Sequence, residues 1–389
     1  MKKFKSIVAL VLVLVMCVGM LCSCADNQPG VENSTPVSNE SSAPSNNVGN
    51  EIPQYDYHLG CVVYSLADAI PVHIVEMLTA YSEMFGIKLT VVVGSGADGI
   101  LAAVENLVAA NVDGVFMHSA AGIESWAPVL ENAGIPYTLG STKVLTDSAK
   151  EIAANSKYFL GQVSYDDYEV MNILTNAAIA SGCQNIGLVA PSNITPNYLG
   201  VRKQAVLDIV EKYNAQNGAS VKIYEGTGSG QNDFAGFASS LLASYGTELD
   251  ALITVTTADS SYQPILMAEM QGAIGLYAAN TSESAAAAFA DGTMKMYIAG
   301  SEHIAVEFLI MLNGLKGTPF KQDGYVDITT PSLLIDSAEK EAQLDEYYND
   351  RVLYDGEFLC SIDSLEKLEA MAAAATLENF VSGAYTAID

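Results

Sequence analysis

Short apolar runs alternate with longer amphipathic stretches along the first half of the chain. The apolar runs predict strands at His58–Ser65, Lys88–Val93, Asp113–His118, Ile135–Leu139 and Tyr158–Gly161. The stretches between them predict helices at Pro71–Phe85, Ile100–Ala110 and Ser125–Ala133. Continuous apolar strands separated by helices are typical of a parallel sheet that is covered on both faces.

The same pattern starts again after residue 165. It predicts helices at Tyr168–Ser181, Leu199–Asn214, Asp233–Ser244 and Tyr262–Gln271, and strands at Asn185–Ala190, Val221–Glu225, Ala251–Val255 and Leu276–Ala279. Two successive α/β sheets indicate two doubly wound lobes. Ligands of such sheets bind beyond the carboxyl ends of the strands, so two facing lobes would enclose one cleft.

The amino terminus has the pattern of an export signal. Three early lysines precede the apolar run Ile7–Met16, which is too short for a spanning helix. The following Leu21-Cys22-Ser23-Cys24 resembles a bacterial lipobox, which implies a lipoprotein signal peptide at 1–23 and acylation of Cys24. The alternative is an ordinary signal peptide with incidental cysteines. Residues 24–56, rich in Ser, Asn and Pro, predict a flexible tether.

The charge excludes one class of partner. The 389 residues hold 17 Lys+Arg against 45 Asp+Glu, a net charge of −28, so a nucleic-acid-binding surface is not expected. Residues 336–389 contribute 13 of the acids and only Lys340, Arg351 and Lys367, and they predict an acidic helical extension. The only other arginine of the chain is Arg202.

No motif indicates catalysis. The sequence has no G-x-S-x-G elbow, no H-E-x-x-H and no phosphate-binding loop, so we expect no catalytic residue, no cofactor and no metal. His303 and Glu307 stand four apart on a predicted helix, but two ligands do not make a metal site, and we assign them to a solvated face.

The order of several short motifs resembles the type I periplasmic sugar-binding proteins, whose fold is shared with lac-repressor-type effector domains. The motifs are Leu59-Gly60-Cys61-Val62-Val63 with Ser65, Asn111-Val112-Asp113-Gly114-Val115, Ala133-Gly134-Ile135-Pro136, Tyr158-Phe159-Leu160-Gly161, Asn185-Ile186-Gly187-Leu188-Val189, Leu249-Asp250-Ala251-Leu252-Ile253 and Asp291-Gly292-Thr293. The resemblance covers about 57 to 335. It implies three crossings between lobes, which we expect near 161–165, 279–282 and 317–324. Lobe 1 would then be 57–162 plus 281–318, and lobe 2 would be 163–280 plus 319–335.

The resemblance also implies ligand contacts at the strand ends. In the first lobe these are Tyr64, Ser65, Asp68, Asp98 and Ser119, and in the second they are Arg202, Asp259 and Asn280. Five of the eight have a structural alternative: Tyr64 as core, the three aspartates as helix caps, and Arg202 as a surface residue. The family's glycine three residues after the arginine is Ala205 here, its aspartate at 280 is Asn280, and its glutamine near Gly300 is absent. These departures change residues that would contact or surround the ligand.

The resemblance predicts an extracytoplasmic solute-binding lipoprotein of an ABC transporter. It would capture a small polar ligand, a sugar, by hinge closure, and it would deliver that ligand to a permease while its lipid holds it to the outer face of the cell membrane. The alternatives are a sensor of a nucleoside or autoinducer that presents its ligand to a membrane receptor, a lipid-anchored envelope enzyme, and a scaffold with a vestigial cleft.

Overall fold

The computed structural model describes residues 52–280, 282–299, 303–346 and 354–388. Its strands are β1 His58–Val63, β2 Lys88–Val93, β3 Gly114–Met117, β4 Tyr137–Gly140, β5 Phe159–Ser164, β6 Asn185–Val189, β7 Lys222–Glu225, β8 Ala251–Thr257, β9 Gly275–Asn280, β10 Met294–Ala299, β11 Val326–Thr329 and β12 Leu333–Ile335. The signal peptide, Cys24 and the tether up to residue 51 lie outside the described residues.

The helices alternate with these strands and then continue beyond them. They are α1 Ala69–Met84, α2 Gly96–Ala109, α3 Ile123–Ala133, α4 Asp147–Asn155, α5 Asp167–Ala180, α6 Tyr198–Asn217, α7 Phe234–Tyr245, α8 Asp259–Met267, α9 Ala285–Ala290, α10 His303–Leu315, α11 Ala338–Leu344, α12 Gly356–Ser361, α13 Leu365–Ala374 and α14 Leu377–Ser382. None of these described helices has the length and apolar character that crossing a membrane requires.

The strands form two six-stranded sheets. The first has the order β11-β5-β4-β3-β1-β2 and the second has the order β12-β10-β9-β8-β6-β7. All pairs are parallel except β10 with β12. We name the first sheet with its helices lobe 1 and the second lobe 2. In each lobe the chain builds the sheet outward in opposite directions from its first strand, which is β1 in lobe 1 and β6 in lobe 2. Such a switch point creates a crevice at the carboxyl edge of the sheet.

The predicted lobe boundaries are wrong at two of the three crossings. The chain first leaves lobe 1 after Ser164, at the end of β5. Strand β10 still pairs with β9, so 282–299 belong to lobe 2 and the expected crossing at 279–282 is wrong. The chain is again part of lobe 1 in α10, which begins at His303. Strand β11 pairs with β5 in lobe 1 and β12 pairs with β10 in lobe 2. The third crossing is therefore at 330–332 rather than at 317–324.

Polar side chains cap two helices at the edge of lobe 2 where the carboxyl ends of its strands lie. The Asp166 side chain accepts hydrogen bonds from the backbone of Tyr168 and Glu169 at 2.9 and 3.1 Å and begins α5. The Asn197 side chain accepts one from the Gly200 backbone at 3.0 Å and begins α6. Each cap therefore places the first residues of its helix at the carboxyl edge of the sheet.

The carboxyl-terminal extension contacts both lobes. Helix α11 packs against α9 of lobe 2, where the Tyr297 hydroxyl donates to the Glu341 carboxylate. Helix α13 packs against α10 and β11 of lobe 1, and α14 contacts α11. One continuous apolar core accordingly contains residues of lobe 1, lobe 2 and the extension, for example Leu59, Leu252 and Phe380.

The tether ends earlier than we predicted. The backbone amide of Tyr55 donates to the Phe85 carbonyl at 2.9 Å, and the Tyr55 ring stacks on Tyr57 with centroids 5.6 Å apart. The partly buried Ile52 packs against the main core. Residues 52–56 therefore belong to the folded body, because an aromatic and an aliphatic side chain in this segment find apolar partners there.

Candidate functional site

A cavity of about 420 Å³ opens between the carboxyl edges of the two sheets. Lobe 1 lines it with the segments that follow β1, β3 and β4, and lobe 2 lines it with the segments that follow β5, β6 and β7 and with the end of β9. The polar residues in its wall are Tyr64, His118, Ser119, Glu124, Ser141, Thr142, Lys143, Thr146, Tyr165, Asn197, Tyr198, Asn232 and Asn280. The parallel topology explains the position, because all these segments leave strands at the same edge.

The polar part of the wall consists mainly of uncharged hydrogen-bonding groups. Most of its polar side chains are hydroxyls or amides, which can donate and accept at once. The tyrosine rings add apolar faces on which C–H groups can pack. Such a lining is suited to a small molecule that carries many hydroxyl groups.

Three of the predicted contact residues line the cavity, namely Tyr64, Ser119 and Asn280. The Tyr64 side chain is 43% exposed, which excludes its assignment to the core. The Asn280 side-chain oxygen accepts a hydrogen bond from the Tyr165 hydroxyl at 3.3 Å, so its position in the wall is fixed by a neighbouring wall residue.

Three predicted residues of lobe 1 lie outside the cavity wall. The Ser65 hydroxyl accepts from the backbone of Ala67 at 3.0 Å and shapes the turn after β1. Asp68 stands at the amino-terminal cap position of α1, although its side chain makes no capping bond. Asp98 lies in the first turn of α2, which begins at Gly96, earlier than the predicted start at residue 100.

Asp259 holds the loop before α9 rather than lining the cavity. Its Oδ1 atom accepts hydrogen bonds from the Ser282 hydroxyl at 2.8 Å and from the Ser284 backbone and hydroxyl at 3.1 and 2.5 Å. Three donors therefore converge on one carboxylate oxygen. The contact explains an aspartate at this position without a ligand.

Arg202 lies behind the cavity wall and is only 1% exposed. Its Nε donates to Asp167 Oδ1 at 2.7 Å, and its Nη1 donates to the Val255 carbonyl at 2.8 Å and to Asn280 Oδ1 at 3.4 Å. Burial alone would lower the pKa of Arg202, but the Asp167 carboxylate and the Tyr165 hydroxyl outweigh burial and raise it. The structure thus excludes the alternative of a surface arginine and places the side chain outside the cavity lining.

Two wall tyrosines that sequence reasoning missed cover this arginine. The guanidinium carbon lies 5.5 Å from the Tyr165 ring centroid and 5.2 Å from that of Tyr198. Tyr165 directly follows β5, and Tyr198 is the first residue of α6. Tyr165 was missed because the predicted strand ended at Gly161, whereas β5 continues to Ser164.

A buried polar cluster underlies the cavity on the lobe 1 side. The Thr138 hydroxyl donates to Glu307 Oε1 at 2.8 Å, and His118 Nε2 lies 3.6 Å from Glu307 Oε2. Glu307 is fully buried, so its assignment to a solvated helix face is wrong. Gly140 makes room for the cluster, because a Cβ atom there would lie 2.7 Å from both Glu307 Cδ and His118 Cε1.

Both ionisable members of the cluster are held in their neutral forms near pH 7. Burial raises the pKa of Glu307 to about 8, although the hydrogen bond from Thr138 opposes the shift. Burial lowers the pKa of His118 to about 4, against the effect of a hydrogen bond with the Gly140 backbone. The charged residues of the described cavity wall are consequently Glu124 and Lys143.

Comparison with known structures identifies the fold. A periplasmic solute-binding protein of an ABC transporter from Actinobacillus succinogenes with bound D-allose is similar over 74% of this chain and 100% of its own, with a TM-score of 0.62 and 16% identity. An ABC transporter solute-binding protein from Agrobacterium vitis bound with α-D-tagatopyranose is similar over 77% of this chain and 99% of its own, with a TM-score of 0.61 and 16% identity. A periplasmic ribose ABC transporter protein from Conexibacter woesei is similar over 76% of this chain and 97% of its own, with a TM-score of 0.58 and 13% identity. No family model and no curated protein matches the sequence. The likeness shows that this chain has the two-lobed fold of these solute-binding proteins.

Proposed function

We propose that this two-lobed protein captures a sugar in the cleft between its lobes and delivers it to an ABC permease. One observation carries the proposal: carboxyl-terminal strand ends of both sheets build one cavity, and the polar groups of its wall are mainly hydroxyls and amides, with three tyrosine rings among them. The sugars bound by the two structural neighbours, D-allose and α-D-tagatopyranose, support the same class of ligand.

Binding drives closure in this proposal. A ligand that contacts both lobes is bound more tightly by the closed arrangement, so it shifts the population toward that arrangement. The permease then recognises the closed form.

Thermal unfolding with a panel of sugars tests the proposal. A sugar present at 100 times its dissociation constant should stabilise the protein by about 2.7 kcal/mol. Tyr198→Ala, in the cavity wall, should reduce that stabilisation, whereas Tyr245→Ala should retain it. The two tyrosines are a matched pair, because each is 37% exposed but Tyr245 is not in the cavity wall. A panel without any stabilising sugar would refute the assignment to sugars.

The proposed site of action is the outer face of the cell membrane, where a lipid on Cys24 would hold the protein. The lipobox-like Leu21-Cys22-Ser23-Cys24 supports this part of the proposal. Cys24→Ala should move the protein from the membrane fraction to the soluble extracytoplasmic fraction, and Cys22→Ala should not. Release by both variants or by neither would contradict acylation at Cys24.

A further inference from the structure

Four elements of lobe 2 meet at the guanidinium of Arg202. The residue itself is on α6, Asp167 is in the first turn of α5, Val255 is on β8 and Asn280 ends β9. Its hydrogen bonds to these three partners lie between 2.7 and 3.4 Å. A planar guanidinium directs its donors along fixed lines, so it holds the partners in a defined arrangement.

The faces of the guanidinium are used as well as its edges. The rings of Tyr165 and Tyr198 lie 5.5 and 5.2 Å from its central carbon, and both tyrosines belong to the cavity wall. Asn280, the third wall residue in contact, receives a hydrogen bond from Arg202 and another from the Tyr165 hydroxyl. Three adjacent groups of the wall are therefore supported by one side chain behind them.

We infer that Arg202 is a positioning residue, which holds Tyr165, Tyr198 and Asn280 in the places from which they contact the ligand without contacting the ligand itself. This inference rests on the proposed function, because it assigns a role in the same cleft. The surroundings of the arginine fit this role: Asp167 pairs with the guanidinium, two rings cover its faces, and the residue is 1% exposed.

A double-mutant cycle separates positioning from direct contact. The probe is whichever of D-allose, D-fucose and D-arabinose binds the wild-type protein, and affinity is measured by calorimetry. Arg202→Met should weaken binding about tenfold, because the Tyr198 ring loses its cationic partner. If Arg202 acts through the wall, Arg202→Met with Tyr198→Ala should lose less affinity than the product of the two single losses. Losses that multiply would overturn the inference.

Lys203 provides the matched control for removing a buried cation from α6. It is 4% exposed, it donates to the Pro191 carbonyl at 2.9 Å, and it pairs with Glu225, all away from the cavity wall. Lys203→Met should leave sugar affinity within about twofold of wild type while it lowers stability. Equal losses of affinity in both methionine variants would reduce the role of Arg202 to general stability and refute positioning.

Asp167→Asn extends the test if Arg202→Met does not fold. This change loosens the guanidinium from its anchor and keeps the arginine. Positioning predicts weaker sugar binding, because the support of the rings becomes less well defined. Direct contact with the ligand predicts unchanged or tighter binding, because the released guanidinium would be free to reach the cavity.

A measurement without ligand keeps the inference distinct from the proposed function. In protein labelled with 3-fluorotyrosine, Arg202→Met should shift the fluorine resonances of Tyr165 and Tyr198, assigned by Tyr→Phe variants, and Lys203→Met should not. Shifted resonances in a protein that binds no sugar would refute the proposed function and leave positioning intact. Unshifted resonances would refute positioning whatever the protein binds.

Discussion

The buried carboxyl group of Glu307 should make the stability of this protein fall as the pH rises above neutrality. Its pKa is about 8 in the folded protein against an ordinary value of 4.5, so the folded state retains a proton that the unfolded state releases. A group whose pKa is raised by folding stabilises fully below the unfolded value, and that stability is lost as the pH rises through the folded value.

The loss of stability can be estimated over the pH range in which Glu307 changes its protonation and His118 does not. His118, the other ionisable member of the cluster, titrates at about 4 when folded and at 6.5 when unfolded, so its contribution changes mainly below pH 6.5. From pH 6.5 to the Glu307 value of about 8 is 1.5 pH units. At about 1.4 kcal/mol per unit, unfolding should become easier by about 2 kcal/mol between pH 6.5 and 8.5.

Urea unfolding of the wild type and of Glu307→Gln at several pH values measures this slope. Glutamine keeps the shape and can accept the Thr138 hydrogen bond, but it does not ionise, so the difference in stability between the two proteins should change by about 2 kcal/mol over this range. Glu76→Gln, which removes a carboxylate from an exposed position on α1, should retain the wild-type slope. Parallel pH profiles for the wild type and Glu307→Gln would refute a protonated buried carboxyl.

Three further substitutions test other parts of the structure. Gly140→Ala should destabilise the protein by about 1–3 kcal/mol in urea, because the new Cβ would meet the buried carboxyl of Glu307. Asp259→Ala should lower the melting temperature, because Ser284 and its neighbours lose their acceptor, yet calorimetry should find sugar affinity within about twofold of wild type; a larger loss would return this aspartate to the ligand. Leu344→Ala in the extension should cost about 2–5 kcal/mol in urea; a loss below about 1 kcal/mol would show that α11 is dispensable.

Much of the α/β architecture could be predicted because each strand or helix depends on the pattern of apolar and polar residues within its own segment. Short apolar runs with β-branched residues, such as Ala251–Val255, favour buried strands, and a capping residue such as Asp233 marks the start of the helix that follows it. The lobe boundaries could not be read in this way. Whether the three residues of β12 or the four of β11 join lobe 1 or lobe 2 depends on pairing with strands more than thirty residues away, and short segments carry no signal for that choice.

The site shows the same division between local and distant information. Tyr64 and Ser119 could be predicted from the resemblance, and in the structure both directly follow strands of lobe 1 and line the cavity. The surroundings of Arg202 could not be, since Asp167, Val255 and Asn280 come together only when α5, β8 and β9 pack. Glu307 was missed for the related reason that its partners are far away in sequence: Thr138 lies on β4 and His118 directly follows β3.

The extension that joins the lobes has a consequence for biosynthesis. Lobe 1 needs β11 to complete its sheet, lobe 2 needs β12, and the core that both share includes Leu368 and Phe380. Chains are made from the amino terminus, and early domains commonly fold while later ones are still being synthesised. We therefore expect the shared core to complete its packing only after the residues through Phe380 have been synthesised, so that the two lobes reach their native state together.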